Sequence, residues 1–306
     1  MEMLNLLKDR YGLADVTWKD HPSIINSSSG CKKIRFWTDK NLLLWHTAYR
    51  DEAGKKDSPF LDRMIRTIKG ESSVPFQEKW LTLHDCSEEP YDMIGFEKDW
   101  GALLSKLLTA GQKNYAHMVL QPDASEFDFQ SLLDFALPLT KTSSSLSMIR
   151  LSLAEARKRT QQALSLIRLA DGCEPPVLNQ EISTKNGWKV LNFLFFEAGA
   201  GVPVRSFEPL KQFLQEWIAS CGSSSLKKLL TEVNKGFPLH EEQGLLLTAE
   251  IMMPKELDKC IRQLQTGGLE ETVLCMDRFA REWELNRRLL MAVTEWMDDN
   301  RKKVAL

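Results

Sequence analysis

Few residues of this chain have a type and spacing that could do chemistry unaided. Six cysteines (Cys31, Cys86, Cys173, Cys221, Cys260 and Cys275) stand singly. No pair has a CxxC spacing and no histidine lies at zinc-finger distance, so they read as free thiols in a reducing compartment, and no metal site is expected. His46 and His84 fall on segments that read as strands. With no nucleophile signature nearby, they read as core or edge histidines and not as a catalytic pair. Ala198-Gly199-Ala200-Gly201 contains a Gly-x-Gly, but no Gly-Lys-Ser/Thr follows it, so it is weak as a P-loop. Ser27-Ser28-Ser29-Gly30 has one glycine and makes no phosphate cradle. Arg157, Lys158, Arg159 and Arg168 share one face of a long helical pattern. A solvated face accounts for them more simply than a phosphate-contacting surface.

The elements that must position these residues change character along the chain. Lys33 to Thr38 puts Ile34 and Phe36 on one face and Lys33 and Arg35 on the other, the alternation of a half-buried strand. Asn41 to Thr47 reads as a second, more apolar strand across an Asp39-Lys40 turn. A helix is expected from Ser58-Pro59 to Gly70, then a third strand over Lys79 to His84. Helices dominate beyond: Asp99 to Leu108, Leu146 to Ala170, one capped by Ser206, one capped by Ser225, and three more over 240–303. An extended hairpin with Asn186-Gly187 as its turn interrupts them between Val177 and Phe195. The fold class is therefore α+β, with a β-rich lobe over 1–90 and a helical lobe over 91–306.

With 306 residues, 43% hydrophobic and 27% charged, the chain can bury a sizeable core without disulfide or metal staples. A net charge of -2 argues against a nucleic-acid binder. The N-terminus does not resemble a signal peptide, and no window reaches the ~18 apolar residues of a membrane span. A soluble, cytoplasmic protein is expected.

Asn179-Gln180-Glu181, Asn186 five residues after Glu181, and then Val190-Leu191-Asn192-Phe193 follow a spacing that resembles the kinase-like phosphotransferase superfamily of aminoglycoside phosphotransferases and choline kinases. There the motif is His-x-Asp, an Asn, then a strand ending in Asp. Ser206 begins a helix where that family commonly places an Asp. Pro238-Leu239-His240-Glu241-Glu242 and the helices around Pro254 are similar to the spore-coat CotS/YutH-type branch. The resemblance implies a two-lobed protein-kinase-like fold with a small antiparallel-sheet lobe. It puts Glu181 where the family's Asp accepts the substrate hydroxyl proton, and Asn186 and Asn192 at magnesium and nucleotide positions. It also implies a nucleotide-holding Lys on Asn41–Thr47, where Trp45 or His46 stands instead. Plainer readings stand beside these: Asn186 opens an Asn-Gly turn, and Asn192 is a satisfied buried amide. The favoured expectation is a pseudokinase acting in binding or assembly, with protein partners that include spore-coat components, with the spore coat as a second location, and with no cofactor. The alternatives are an active ATP-dependent small-molecule phosphotransferase using Mg-ATP, and a helical interaction protein unrelated to kinases. A five-stranded antiparallel sheet packed on helices would exclude the last.

Overall fold

A computed structural model describes residues 2–55, 59–113, 130, 134, 147–266 and 269–304. Helix α1 (Glu2–Tyr11) precedes strands β1 (Thr17–Asp20), β2 (Ile24–Ser27) and β3 (Gly30–Trp37). Helix α2 (Lys40–Ala53), β4 (Phe60–Leu61), β5 (Val74–Phe76) and β6 (Lys79–Asp85) follow. Five strands form one antiparallel sheet in the order β1-β2-β3-β6-β5. This sheet excludes the reading of a purely helical interaction protein.

The register of β3 on β6 sets the two faces. Ile34 lies opposite Leu83 and Phe36 opposite Leu81, and this face packs on Leu7 and Tyr11 of α1 with Ile25 and Val74. Lys33 lies opposite His84, Arg35 opposite Thr82 and Trp37 opposite Trp80. Directly opposed residues share a face, so all six project to the other side. Alternation in the sequence thus separates an apolar face from one bearing two cations and a histidine.

Three expectations fail in this region. Asn41–Thr47 is not a strand but part of α2, whose first turn is capped by Asp39 Oδ1 accepting from the backbone N–H of Asn41 and Leu42. The expected helix from Ser58 starts outside the described residues, and 59–70 is not helical. Phe60 and Leu61 instead pair in parallel with Phe195 and Phe196. Cys31 and Cys86 are not free: a disulfide joins them across the end of the β3·β6 pair, with Cα atoms 5.7 Å apart.

Beyond residue 96 come α3 (Glu97–Gln112), α4 (Ser147–Leu169), β7 (Val177–Asn179), β8 (Gly187–Val190), β9 (Phe193–Phe196) and β10 (Pro203–Arg205). The helices α5 (Glu208–Asn234), α6 (Glu242–Met252), α7 (Lys255–Thr266) and α8 (Leu269–Val304) complete the order. Strand β10 pairs antiparallel with β7, and β9 lies between β4 and β8. The main core joins Trp100 of α3 to Phe213 and Trp217 of α5 through ring contacts of 5.6 and 5.9 Å. Helix α5 kinks at Gly222, which takes φ +78°, a conformation glycine adopts at no steric cost. A second helical segment, carrying Leu226, Leu229, Leu230 and Val233, does follow this break as expected, but Ser225 does not cap it: its hydroxyl donates to Glu97 and accepts from Trp217 Nε1. Arg159 departs from the solvated face expected of it. It is buried, pairs with Glu256 at 2.8 Å and lies over the Trp283 ring. Among the described residues no helix is long and apolar enough to cross a membrane.

Candidate functional site

Strand β7 leads into the segment that carries Glu181. Buried Asn179 accepts the Glu181 backbone N–H on Oδ1 at 3.1 Å. Ser183 Oγ, Thr184 N and Thr184 Oγ1 all donate to Glu216 Oε2 of α5, at 2.8, 2.9 and 2.9 Å. The single helical turn Thr184–Asn186 follows, and Asn186 Nδ2 returns to the Glu181 carbonyl at 3.1 Å. The Asn186 carbonyl in turn accepts the backbone N–H of Glu197 at 2.8 Å. Glu181, Asn186 and Glu197 are thereby gathered at one end of the β8–β9 hairpin.

Glu197 had no part in the sequence expectation, yet it is the acidic residue that follows β9. Its Oε1 accepts from Lys33 Nζ and, at 2.7 Å, from Arg35 Nη2, both on the polar face of β3. The chain beyond it is clamped by α2. Arg50, fully buried, donates from Nη2 to the carbonyls of Ala198 and Gly199 at 2.8 Å each. His46 donates from Nε2 to the Gly201 carbonyl at 2.9 Å. Burial, reinforced by the Arg50 charge, pushes the His46 pKa down to about 2, so the ring is neutral. The same loop closes on Glu181, whose Oε2 accepts the Ala200 N–H at 2.7 Å. A Cβ on Gly199 would overlap the Glu181 carboxylate, so glycine is what permits that approach.

Beneath Glu197 lies a buried polar chain. Trp37 Nε1 donates to Thr82 Oγ1 at 2.8 Å, Thr82 donates to His84 Nε2 at 2.8 Å, and His84 Nδ1 donates to Asp62 Oδ1 at 2.6 Å. Burial lowers the His84 pKa against the opposing pull of Asp62, and a neutral ring is the form that completes this chain. For Asp62, burial alone would raise the carboxyl. The His84 hydrogen bond and the charges of Arg50 and Arg35 outweigh it and hold the group ionised. Asp62 Oδ2 stands 3.9 Å from both Arg35 Nη2 and Arg50 Nε.

Three expectations about the site are corrected. Asn192 is neither a buried amide nor near Glu181. Leu191 and Asn192, at φ 50° and 67°, form the exposed turn of the β8–β9 hairpin. Five residues of extended chain, about 16 Å, separate Asn192 from Glu197. Asn186-Gly187 is accordingly not the hairpin turn, since Gly187 opens β8 in an extended conformation. The segment Asn41–Thr47, where the nucleotide-holding Lys was expected, belongs to helix α2, and the basic side chains that reach this site come from β3, as Lys33 and Arg35. Two cavities, of about 360 Å³ beside Lys158 and Met252 and about 270 Å³ beside Glu97 and Lys228, are lined by none of these residues.

No family model matches the chain, and no curated protein matches its sequence. Solved structures do match. An aminoglycoside phosphotransferase from Alicyclobacillus acidocaldarius superposes with a TM-score of 0.71 at 10% identity, over 98% of this chain and 96% of that one. The fold is that of the kinase-like phosphotransferases. A spectinomycin phosphotransferase in its AMP-bound complex gives 0.57 at 12% identity, over 96% and 97% of the two chains. A microcompartment-associated aminopropanol kinase gives 0.53 at 10% identity, over 95% and 98%.

Enzymes of this fold use magnesium with ATP, and the residues present do not fit that ion as they are arranged. A carboxylate suits a hard dication, but Glu197 Oε1 already carries two cations. Unit charges 4 Å apart interact by about 4 kcal/mol at a surface-like dielectric, so a dication added beside Lys33 and Arg35 meets strong repulsion.

Proposed function

We propose that this chain is a catalytically degenerate kinase-like protein that works by binding or assembly. One observation carries the reading: the carboxylates of Glu181 and Glu197 are both engaged by the protein's own donors, Ala200 N–H for the first, Lys33 and Arg35 for the second. A carboxylate so held is poorly placed to take a hydroxyl proton or a magnesium ion. Glu181 is also one methylene longer than the Asp at that place in the family motif, and misplacement by ~1 Å can cost on the order of 10²-fold in rate. Protein partners and the spore coat follow from the resemblance of 238–242 and the helices after it. The Cys31–Cys86 disulfide agrees with residence outside a strongly reducing compartment.

The convergence of Glu181, Asn186 and Glu197 on one end of the hairpin favours the rival, an ATP-dependent small-molecule phosphotransferase. That rival needs Lys33 and Arg35 to leave Glu197 when Mg-ATP enters. Phosphoryl transfer from ATP with magnesium to aminoglycosides, choline and amino alcohols decides between them. We expect no transfer above that of Glu181→Ala. Transfer that Glu181→Ala abolishes would replace this reading with the enzyme.

A further inference from the structure

Lys33 and Arg35 converge on a single carboxylate oxygen from adjacent positions on one face of β3. Two cationic donors aimed at one oxyanion are the arrangement that proteins use for phosphate oxygens. The ion-paired set counts three cations, Lys33, Arg35 and Arg50, against two carboxylates, Asp62 and Glu197, with His46 and His84 neutral. It therefore keeps one positive charge even with Glu197 in place. Glu181, gathered at the same end of the hairpin, is turned to the Ala200 N–H. The group is open to solvent at its edge: the Lys33 side chain is 33% exposed, those of Arg35 and Glu197 14% and 13%.

The Glu197 backbone is anchored without its side chain. Its N–H is held by Asn186, and the carbonyls after it are held by Arg50 and His46. Its side chain is free to serve another end. We infer that Glu197 is a built-in anion that occupies a two-cation seat for polyphosphate, so that the intact chain closes its own site and loss of this carboxylate opens a metal-independent one. The inference rests on the degenerate-site reading given above.

The test is thermal unfolding of the full chain titrated with inorganic tripolyphosphate at constant ionic strength, with chelator present throughout. The wild type should show no saturable shift. Glu197→Ala should show one, with an apparent Kd at least about tenfold tighter than any wild-type response, or ~1.4 kcal/mol. Adding Arg35→Met should remove the gain, and Glu78→Ala, which deletes an exposed carboxylate elsewhere, should show none. Glu197→Gln serves the same purpose if the alanine variant does not fold. Equal responses in wild type and Glu197→Ala, or the same gain in Glu78→Ala, would overturn the inference and leave the proposed function standing. Magnesium-dependent transfer by the wild type would overturn the proposed function instead.

Discussion

His84 donates from Nδ1 to Asp62 Oδ1 at 2.6 Å, with both side chains at zero exposure. This pair ties β6 to the segment after β4, and through Arg35 and Arg50 it sits under the loop that carries Glu197. Removing one partner of a buried charged network leaves the others uncompensated, at a cost of about 3–5 kcal/mol. Asp62→Ala should therefore unfold at markedly lower denaturant concentration, with the loss read as a shift in midpoint at unchanged slope. A cost below ~1 kcal/mol would mean that the network is solvated.

The same network fixes the sign of the pH response. His46 and His84 have folded pKa values below the unfolded value of about 6.5. Their contribution to stability is complete above pH 6.5 and lost as pH falls towards the folded values. Two neutral histidines give at most about 4 kcal/mol of loss between pH 6.5 and 5, at ~1.4 kcal/mol per unit each. Asp62, also lowered, adds its loss only below about pH 4. Unfolding midpoints measured from pH 8 to 5 should fall, and His46→Gln, which keeps a donor for the Gly201 carbonyl, should make that fall shallower.

Period-2 alternation made β3 and β6 legible, because Ile34, Phe36, Leu81 and Leu83 all turn to one face. Leu42-Leu43-Leu44-Trp45 misled because a short apolar run fits a strand or a buried helix equally. The discriminating signals were Asp39 as a cap and the i, i+3, i+4 set His46, Tyr49, Arg50 and Ala53, all buried on one face of α2. Strand β4 carries no local signal: Phe60 and Leu61 are strand only because Phe195 and Phe196 lie beside them. The motif spacing named Glu181 and Asn186, and the structure brings the two together. Glu197 was hidden because the strand before it was counted from Asn192, whose place in the hairpin turn depends on a register that spacing does not reveal. The roles of Arg50 and His46 as clamps on 198–201 depend on contacts some 150 residues apart in sequence.

Asn192→Asp separates the two placements of that residue. At an exposed turn position with φ 67°, Asp is tolerated nearly as well as Asn. The variant should match the wild type within about 0.5 kcal/mol, with no added response to magnesium and nucleotide. A magnesium-dependent rise in its unfolding midpoint would return Asn192 to the site.

The Cys31–Cys86 disulfide closes a loop with a sequence separation of 55. Loop-closure entropy alone gives about 4 kcal/mol for that length. Reductant should lower the unfolding midpoint accordingly, and Cys31→Ser should abolish the sensitivity. Alkylation of the denatured, unreduced chain should modify Cys173, Cys221, Cys260 and Cys275 and spare Cys31 and Cys86. Full modification of all six would show that the pair is reduced.

The contact between Gly199 and Glu181 offers a double-mutant test of how the site is closed. A methyl group on Gly199 would overlap Glu181 Oε2 and Cβ, whereas the Gly199 backbone does not adopt the positive-φ conformation that side chains avoid. The penalty of Gly199→Ala is thus steric and assignable to one neighbour. Overpacking of this kind costs about 1–3 kcal/mol, and the Arg50 bond to the Gly199 carbonyl resists relief by backbone movement. Glu181→Gly removes the obstructing side chain, Cβ included, and, the position being exposed, should itself cost about 1–2 kcal/mol from the lost hydrogen bond to Ala200 and the greater chain entropy of glycine. In the double variant the steric penalty should vanish, giving a coupling of about 1–2 kcal/mol, well outside the ~0.5 kcal/mol additivity of independent sites. Additive losses would show that the loop at 198–201 moves away from Glu181 in solution. The carboxylate would then be free to act on a ligand, which is the outcome the enzyme reading requires.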